Sequence, residues 1–366
     1  MALPAELAPQ IITTVYEQMG NFANPFADLF NAMPNRILGP KVTYDVVEFN
    51  QSMSALVSRY GPASRAKAPV RTIVTYEGMS LKEALQLPPE VLDIRRAGSL
   101  SEGGFQQEVN RAVRQLRLNY DRRKAWMQAQ WLTFGALLST VGVVPTTAAN
   151  IDGTVCLDYE TVSDATPVRV TLGITAAHSD ASVAASWATS TTDIEGDLNT
   201  AAAVVEAASG VTPRLVLMNR QTWRYIMIND LLEQSIKFAD GRAFGTLRTG
   251  GGPGYDEYSL WGYRFRVTNA TFPIRAESMA SAAGTQYLIP NNVVVMMPED
   301  NDTGGRYMIE CNPSDANAPS EHRGLWTWVD TGAEHPHLPT YGLEWHGGPA
   351  LMNPDTNYVF RNVTQT

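Results

Sequence analysis

Residues 106–139 set the tightest limit on what this chain can fold into. Phe105, Val109, Ala112, Val113, Leu116, Tyr120, Met127, Trp131, Phe134 and Leu138 recur at three- and four-residue spacing, so they share one stripe of a helix. No proline interrupts the run, and Gly142 and Pro145 lie just beyond it, where a helix stops. At 1.5 Å rise per residue the rod is about 50 Å long, several times the usual helix length. A coiled coil would want heptads with charged flanking positions. Trp126, Trp131 and Phe134 instead predict a long helix lying across a sheet.

The segments before this helix cannot fold alone. Proline recurs at Pro4, Pro9, Pro25, Pro34 and Pro40, with one short amphipathic stretch at 11–19. Phe22, Phe26, Leu29, Phe30 and Met33 need burial, yet a segment so broken cannot bury them itself. Two strand-like runs follow, at 43–49 and 70–76, and read as the arms of a hairpin. The connection between them is roughly twenty residues, whereas hairpin loops usually take two to five. Two appendages without cores of their own imply reciprocal burial on copies of the chain, and head-to-tail contacts of that kind close into rings. "MSLKEALQLPPEV" (79–91) reads as a short helix stopped by Pro88 and Pro89.

Beyond the long helix the pattern alternates. "TVCLDYETV" and "TPVRVTL" read as a strand pair, and a polar loop (175–190) leads to a helix over 194–208. Thr192 and Glu195 fit a capping box, and Gly210 sits where a left-handed C-cap belongs. "PRLVLMN" (213–219) predicts a buried strand, 220–234 a second helix, and 240–257 a glycine-rich surface loop. "YRFRVTN", "QYLIP", "NVVVMM", "RYMIEC", "GLWTWVD" and "NYVFRNV" make the remainder strand and turn. The class is α+β with one very long helix.

Composition narrows the chemistry. A 44% apolar and 18% charged chain of 366 residues folds, and a low charged share accompanies burial against copies. The net charge of −9 argues against bulk attraction to nucleic acid or anionic membrane. Of 28 basic residues 23 are Arg, the better interface cation. Cys156 and Cys311 have neither metal nor redox spacing, and a reducing site of synthesis is expected. "MALPAELAPQ" lacks the layout of a signal peptide, and no apolar run reaches membrane-spanning length, so a soluble intracellular product is expected. "GTLRTGGGPG" lacks the Gly-Lys-Ser/Thr ending of a P-loop, and no nucleophile elbow exists. Glu334, His335 and His337 are the best metal candidates, but Pro336 separates the histidines, and a third would have to come from His322 or His346. "PEDNDTGG" (298–305) reads as a solvated acidic turn rather than a calcium loop. No cofactor is expected. Arg111, Arg114 and Arg117 lie on the long helix, and a solvated helix face is favoured over weak phosphate contact.

The order of parts resembles the major capsid proteins of tailed bacteriophages, the Hong Kong 97-type fold, and within them the lambda-like E family. The likeness is carried by "NPFADLFNAMP" (24–34), "VTYDVVEFNQSMSALVSRYGP" (42–62), "SWATSTTDIEGDLNTAAAVVEAASGVTPRLVLMNRQTWRYI" (186–226), "YLIPNNVVVM" (287–296) and "LEWHGGPALMNPDTNYVFRNV" (343–363). It covers nearly the whole chain, with diffuse motifs. The resemblance implies an N-arm at 1–40, an extended E-loop hairpin at 41–80 and a P-domain at 81–185 with its spine helix at 106–139. It further implies an A-domain at 186–290 and a strand-rich part, 291–366, that returns to both. By implication the protein is no enzyme. It forms a virion's icosahedral head shell of hexamers and pentamers around double-stranded DNA, assembled in the host cytoplasm. Scaffolding, portal and decoration proteins are its implied partners. Phe22, Phe26, Leu29 and Phe30 would then contact a neighbouring subunit, as would Arg59, Arg65, Lys67 and Arg71 of the hairpin. Arg111, Arg114 and Arg117 would meet packaged DNA on the inner face. Removing 1–33 should leave a soluble subunit that assembles poorly. An encapsulin-like compartment and a metal-dependent enzyme built on Glu334, His335 and His337 are the alternatives.

Overall fold

The computed structural model describes residues 24–32, 41–47, 71–77, 79–86, 103–134, 179–180, 183–232, 248–252, 254–274, 284–312, 324–330 and 340–364. In chain order the first elements are β1 (Asn31–Ala32), β2 (Lys41–Val47), β3 (Arg71–Glu77), β4 (Met79–Gln86), α1 (Gly103–Phe134) and β5 (Ser179–Asp180). A middle group follows: α2 (Ile194–Ser209), β6 (Leu215–Asn219), α3 (Arg220–Met227), β7 (Arg248–Gly252), β8 (Tyr255–Leu260) and β9 (Tyr263–Thr268). The last are β10 (Thr271–Ile274), β11 (Gly284–Tyr287), β12 (Val294–Met297), α4 (Asn301–Gly304), β13 (Arg306–Glu310), β14 (Leu325–Asp330), β15 (Thr340–Leu351) and β16 (Tyr358–Phe360).

A seven-stranded sheet ordered β5-β16-β12-β6-β9-β8-β7 separates two cores. Side chains alternate across a strand, and the alternation here is complete. Leu215 and Leu217, Val295 and Met297, and Val359 face one core; Val216 and Met218, Val294 and Met296, and Tyr358 and Phe360 face the other. Both faces being covered, β6 and β12 read as unbroken apolar runs, as a doubly buried strand must. The helices α2 and α3 cover the second face, with Trp187, Leu198, Trp223 and Ile226 buried between helix and sheet. The first core holds α1 and a five-stranded sheet in which β15 pairs with β13, β14 and β4, and β1 adds parallel to β13.

The long helix forms as its stripe requires. Val113, Leu116, Tyr120, Met127 and Trp131 are buried, and Tyr120 meets the edge of Trp345 on β15. Residues 135–139 lie outside the described residues, as does the expected strand pair at 154–172. The helix α2 ends at Gly210 in the left-handed region (φ 73°), whose N–H donates to the Glu206 carbonyl. Its start differs from the expected capping box. Asp193 takes the cap position and accepts from the Gly196 N–H at 2.9 Å, while the Thr192 hydroxyl donates to the Ser186 carbonyl. Asp193→Ala should therefore lower stability by about 1 kcal/mol in thermal melts, and Thr192→Ala should leave this cap intact.

Three expected elements are corrected. The stretch 79–86 is a strand, not a helix, paired along its length with β15 from Gly347 to Thr340. The glycine loop is in part an antiparallel pair, β7 with β8, turning through Gly254 at φ 83°. The helix after β6 stops at Met227. The buried Asn229 then accepts from the N–H groups of Leu231 and Leu232 and donates to the Thr192 carbonyl, starting a new turn. The acidic turn at 298–305 is itself capped. Asp300 accepts from the Thr303 N–H, and Gly305 closes α4 at φ 60°. Hydrogen bonds from Thr303 hold the Asp300 carboxyl below its ordinary pKa.

Candidate functional site

The described part of the arm, residues 24–32, is latched onto the body by three separate devices. At its start the Asn24 amide donates to Gln128 on α1 (2.8 Å), and its Oδ1 accepts the Phe26 N–H. A single 3-10 turn, Ala27–Leu29, then drops Leu29 into the first core beside Phe26 and Phe30. Opposite, Asp28 meets Arg266. Both guanidinium nitrogens bond the carboxylate, at 2.6 and 2.7 Å, in the fork geometry that Arg provides.

Arg266 is placed by strand alternation. Phe265 and Val267 face the helices, so Arg264 and Arg266 face the arm. Arg266 is 4% exposed and also bonds Glu257 Oε1 (2.9 Å) and the Pro25 carbonyl (3.2 Å), and it stacks over Tyr255 at 4.0 Å. Burial disfavours its charge, but the hydrogen bonds to Asp28 and Glu257 and the charge of Asp28 outweigh that, so its pKa is raised. Glu257, itself buried, shares its other oxygen with Arg264 at 3.0 Å.

The third device is Arg306 on β13. It is fully buried and donates to the carbonyls of Leu29 (3.1 Å) and Pro298 (3.0 Å) and to Asn301 Oδ1 (2.8 Å). Burial lowers its pKa to about 10 despite the attraction of Asp300. A Cβ on Gly304 would collide with the Arg306 guanidinium, so a larger residue there would have to displace it. Asn31 completes the latch by donating to Asp302 (2.8 Å).

This geometry corrects the expected role of the arm's apolar residues. Phe26, Leu29 and Phe30 are 1%, 2% and 6% exposed within their own subunit, so a neighbour is not needed to bury them. Phe22 lies outside the described residues. The hairpin forms with β2 paired to β3 from Lys41↔Glu77 to Val47↔Arg71. Its base is not free of core either. Val42 and Tyr44 are buried in the first core, whereas Ile73 on the outward face is 69% exposed. Arg71 is exposed at the start of β3; Arg59, Arg65 and Lys67 lie outside the described residues.

On α1, Arg111 and Arg114 are exposed, while Arg117 is half-buried and pairs with Asp121 at 3.5 Å. Glu334, His335, His337 and His322 lie outside the described residues, and His346 is buried in β15. Among the described residues no group of three His, Cys, Asp or Glu could hold a metal. Of the latch residues, Asp28, Arg266 and Arg306 were not singled out by sequence reasoning, and Glu257 only as an acidic neighbour for the hairpin tip. The Arg-Phe-Arg alternation in "YRFRVT" marks one polar strand face, but nothing local announces a carboxylate 238 residues away.

The whole chain overlays on known shell-type folds. It matches a protein assigned as a prophage capsid protein of Escherichia coli CFT073 with a TM-score of 0.56 at 11% identity, covering 99% of both chains. A phage-related protein of Bordetella bronchiseptica RB50 matches with a TM-score of 0.52 at 12% identity, covering 98% of both. These likenesses define the class, an α+β capsid fold of the Hong Kong 97 type. The family model for phage major capsid protein E matches residues 9–325, so the chain belongs to that family. It is a phage major capsid protein, a structural component of the virion's head shell and not an enzyme. No curated protein matches the chain.

Proposed function

We propose that this capsid protein builds an icosahedral head shell from hexamers and pentamers around double-stranded DNA. In this reading 1–40 is the N-arm, 41–80 the extended E-loop, and 81–185 the P-domain with α1 as its spine. Residues 186–290 form the A-domain, and 291–366 return to both. The observation that carries the reading is the hairpin, anchored by Val42 and Tyr44 at its base and presenting Ile73 outward at 69% exposure. A strand pair fixed at one end can reach a neighbour from a rigid footing. Scaffolding, portal and decoration proteins act on the shell during assembly, which takes place in the host cytoplasm. Arg111, Arg114 and Arg117 make weak, sequence-independent contact with the packaged DNA. Light scattering in near-physiological salt should report particles of shell mass. A stable monomer as the sole species would refute the reading.

The hairpin tip carries Arg59, Arg65, Lys67 and Arg71 with no Asp or Glu from 54 to 72, so it docks on carboxylates of a neighbour. Asp256 and Glu257 lie in β8, not in a turn, and Glu257 is a poor acceptor because it is buried and already shared by two arginines. Glu299, on the surface beside Arg264, is the better one. Each exposed pair contributes only about 0–1 kcal/mol, but the contact repeats at every subunit. Reversing Arg59 and Arg65 to Glu should impair assembly more in low salt than in high; unchanged assembly in low salt would show that backbone and apolar contacts suffice. Lys67 is the hairpin's sole lysine, and no acidic catalyst motif accompanies it. Subunits should therefore run as monomers in denaturing gels, and a covalent ladder would contradict this.

A further inference from the structure

We propose that neighbouring subunits of one ring join head to tail by seating the outer ridge of α3 on the outer face of α2 of the next copy. The inference rests on the shell reading above and names one of its contacts. Both helices cover the same side of the seven-stranded sheet, so their outer faces look away from their own subunit's core. Those faces differ in character. On α3 the exposed residues are Arg220, Gln221 and Arg224, followed by Met227, Ile228 and, beyond the helix end, Leu231. Met227, Ile228 and Leu231 are 44%, 53% and 39% exposed, and they make up three of the five large exposed apolar side chains among the described residues. Neither Arg220 nor Arg224 has an ion-pair partner among the described residues.

On α2 the exposed face carries Glu195, Asn199, Ala203, Glu206 and Ala207. Carboxylates stand near both ends, Asn199 and Ala203 lie between them, and Ala207 follows Glu206. Beside this face the Tyr263 phenol donates to Asn199 Oδ1 at 2.9 Å, and burial together with Glu206 and Glu195 raises its pKa. The local field of this side is thus negative. The α3 ridge is cationic at its start and apolar at its end; the α2 face is anionic, with Asn199 and then the small Ala203 after its first carboxylate. Placed together, guanidinium meets carboxylate, and Met227 and Ile228 meet alanine. A two-fold pairing of α3 with itself would instead lay each arginine against the partner's apolar end. Complementary but different patches on one chain make a heterologous contact, which closes into rings.

Charge exchange tests this directly, with sedimentation of assembled particles as the readout. The variants Arg220→Glu/Arg224→Glu and Glu195→Arg/Glu206→Arg should each lower the assembled fraction about tenfold while keeping the wild-type circular dichroism. Co-expressed, they should form six-membered rings again, because alternating copies restore both contacts around an even-membered ring, whereas a five-membered ring keeps one like-charge contact. Assembly of either variant at the wild-type level, or failure of two folded variants to form mixed six-membered rings, overturns the proposal. In either case wild-type shells in the same preparation leave the head-shell reading standing. If a reversal prevents folding, Ala203→Cys with Met227→Cys on the native charge background decides. Oxidation should then give a ladder of covalent multimers from the pair and no ladder from either single variant. Monomer alone from assembled pair variant, or dimers from Met227→Cys by itself, overturns the contact.

Discussion

Deleting residues 1–33 should abolish the soluble subunit, not merely its assembly. The deletion removes Phe26, Leu29 and Phe30 from the first core, where each is almost fully buried. Truncating a single buried Phe to Ala costs about 3–5 kcal/mol, and a whole domain is stable by only about 5–15 kcal/mol. The loss is compounded at the latch, since Arg266 loses Asp28 and the Pro25 carbonyl, and Arg306 loses the Leu29 carbonyl. This reverses the sequence-based expectation of a soluble, assembly-poor truncation. A graded check is Phe26→Ala, which should lower the subunit's unfolding free energy by about 3–5 kcal/mol in denaturant titrations. A truncated subunit that stays soluble with a wild-type melting temperature would show the arm to be an appendage after all.

Replacing Arg266 by Ala should be the most damaging single change of charge. It strands the buried Glu257 beside Arg264 alone and leaves Asp28 without its bidentate partner. Breaking a buried pair from one side costs about 3–5 kcal/mol, because an uncompensated charge stays behind. Asp28 is 53% exposed and contributes the smaller share, since water screens it. The cost should fall when Glu257 is neutralised as well. Arg266→Met with Glu257→Gln should melt above Arg266→Met alone, and the difference between the two melts reads the coupling. Equal melting of the single and double variants would place the cost in lost packing against Tyr255 instead.

The legible parts of this fold are those whose signals are local. The run α2–β6–α3 could be read because Gly210, the apolar β6 and the two helical stripes each act within a few residues. The long helix was legible for the same reason. The strand β4 was not, because Leu81, Lys82, Glu83, Ala84, Leu85 and Gln86 are all good helix formers. Pairing with β15 overrides that preference, Asn119 on α1 bonds Glu83 (2.6 Å), and Lys82 reaches Glu344 on the other face (3.3 Å). In β15 itself Gly342, Gly347, Gly348 and Pro349 disguise a twelve-residue strand. Gly342 is needed because a Cβ there would lie 2.0 Å from the Trp328 ring. The arm latch was illegible on distance alone, with its partners 104 to 277 residues apart.

The account rests on self-assembly into a closed shell, and electron microscopy of the purified full-length protein tests it most directly. Images should show uniform icosahedral particles with six- and five-fold capsomers, and the absorbance ratio of heads from infected cells should report packaged nucleic acid. Closed shells whose interior holds protein cargo and no nucleic acid would contradict the genome-enclosing reading. Monomers or small oligomers alone, under conditions where the subunit is folded, would contradict the account at its centre.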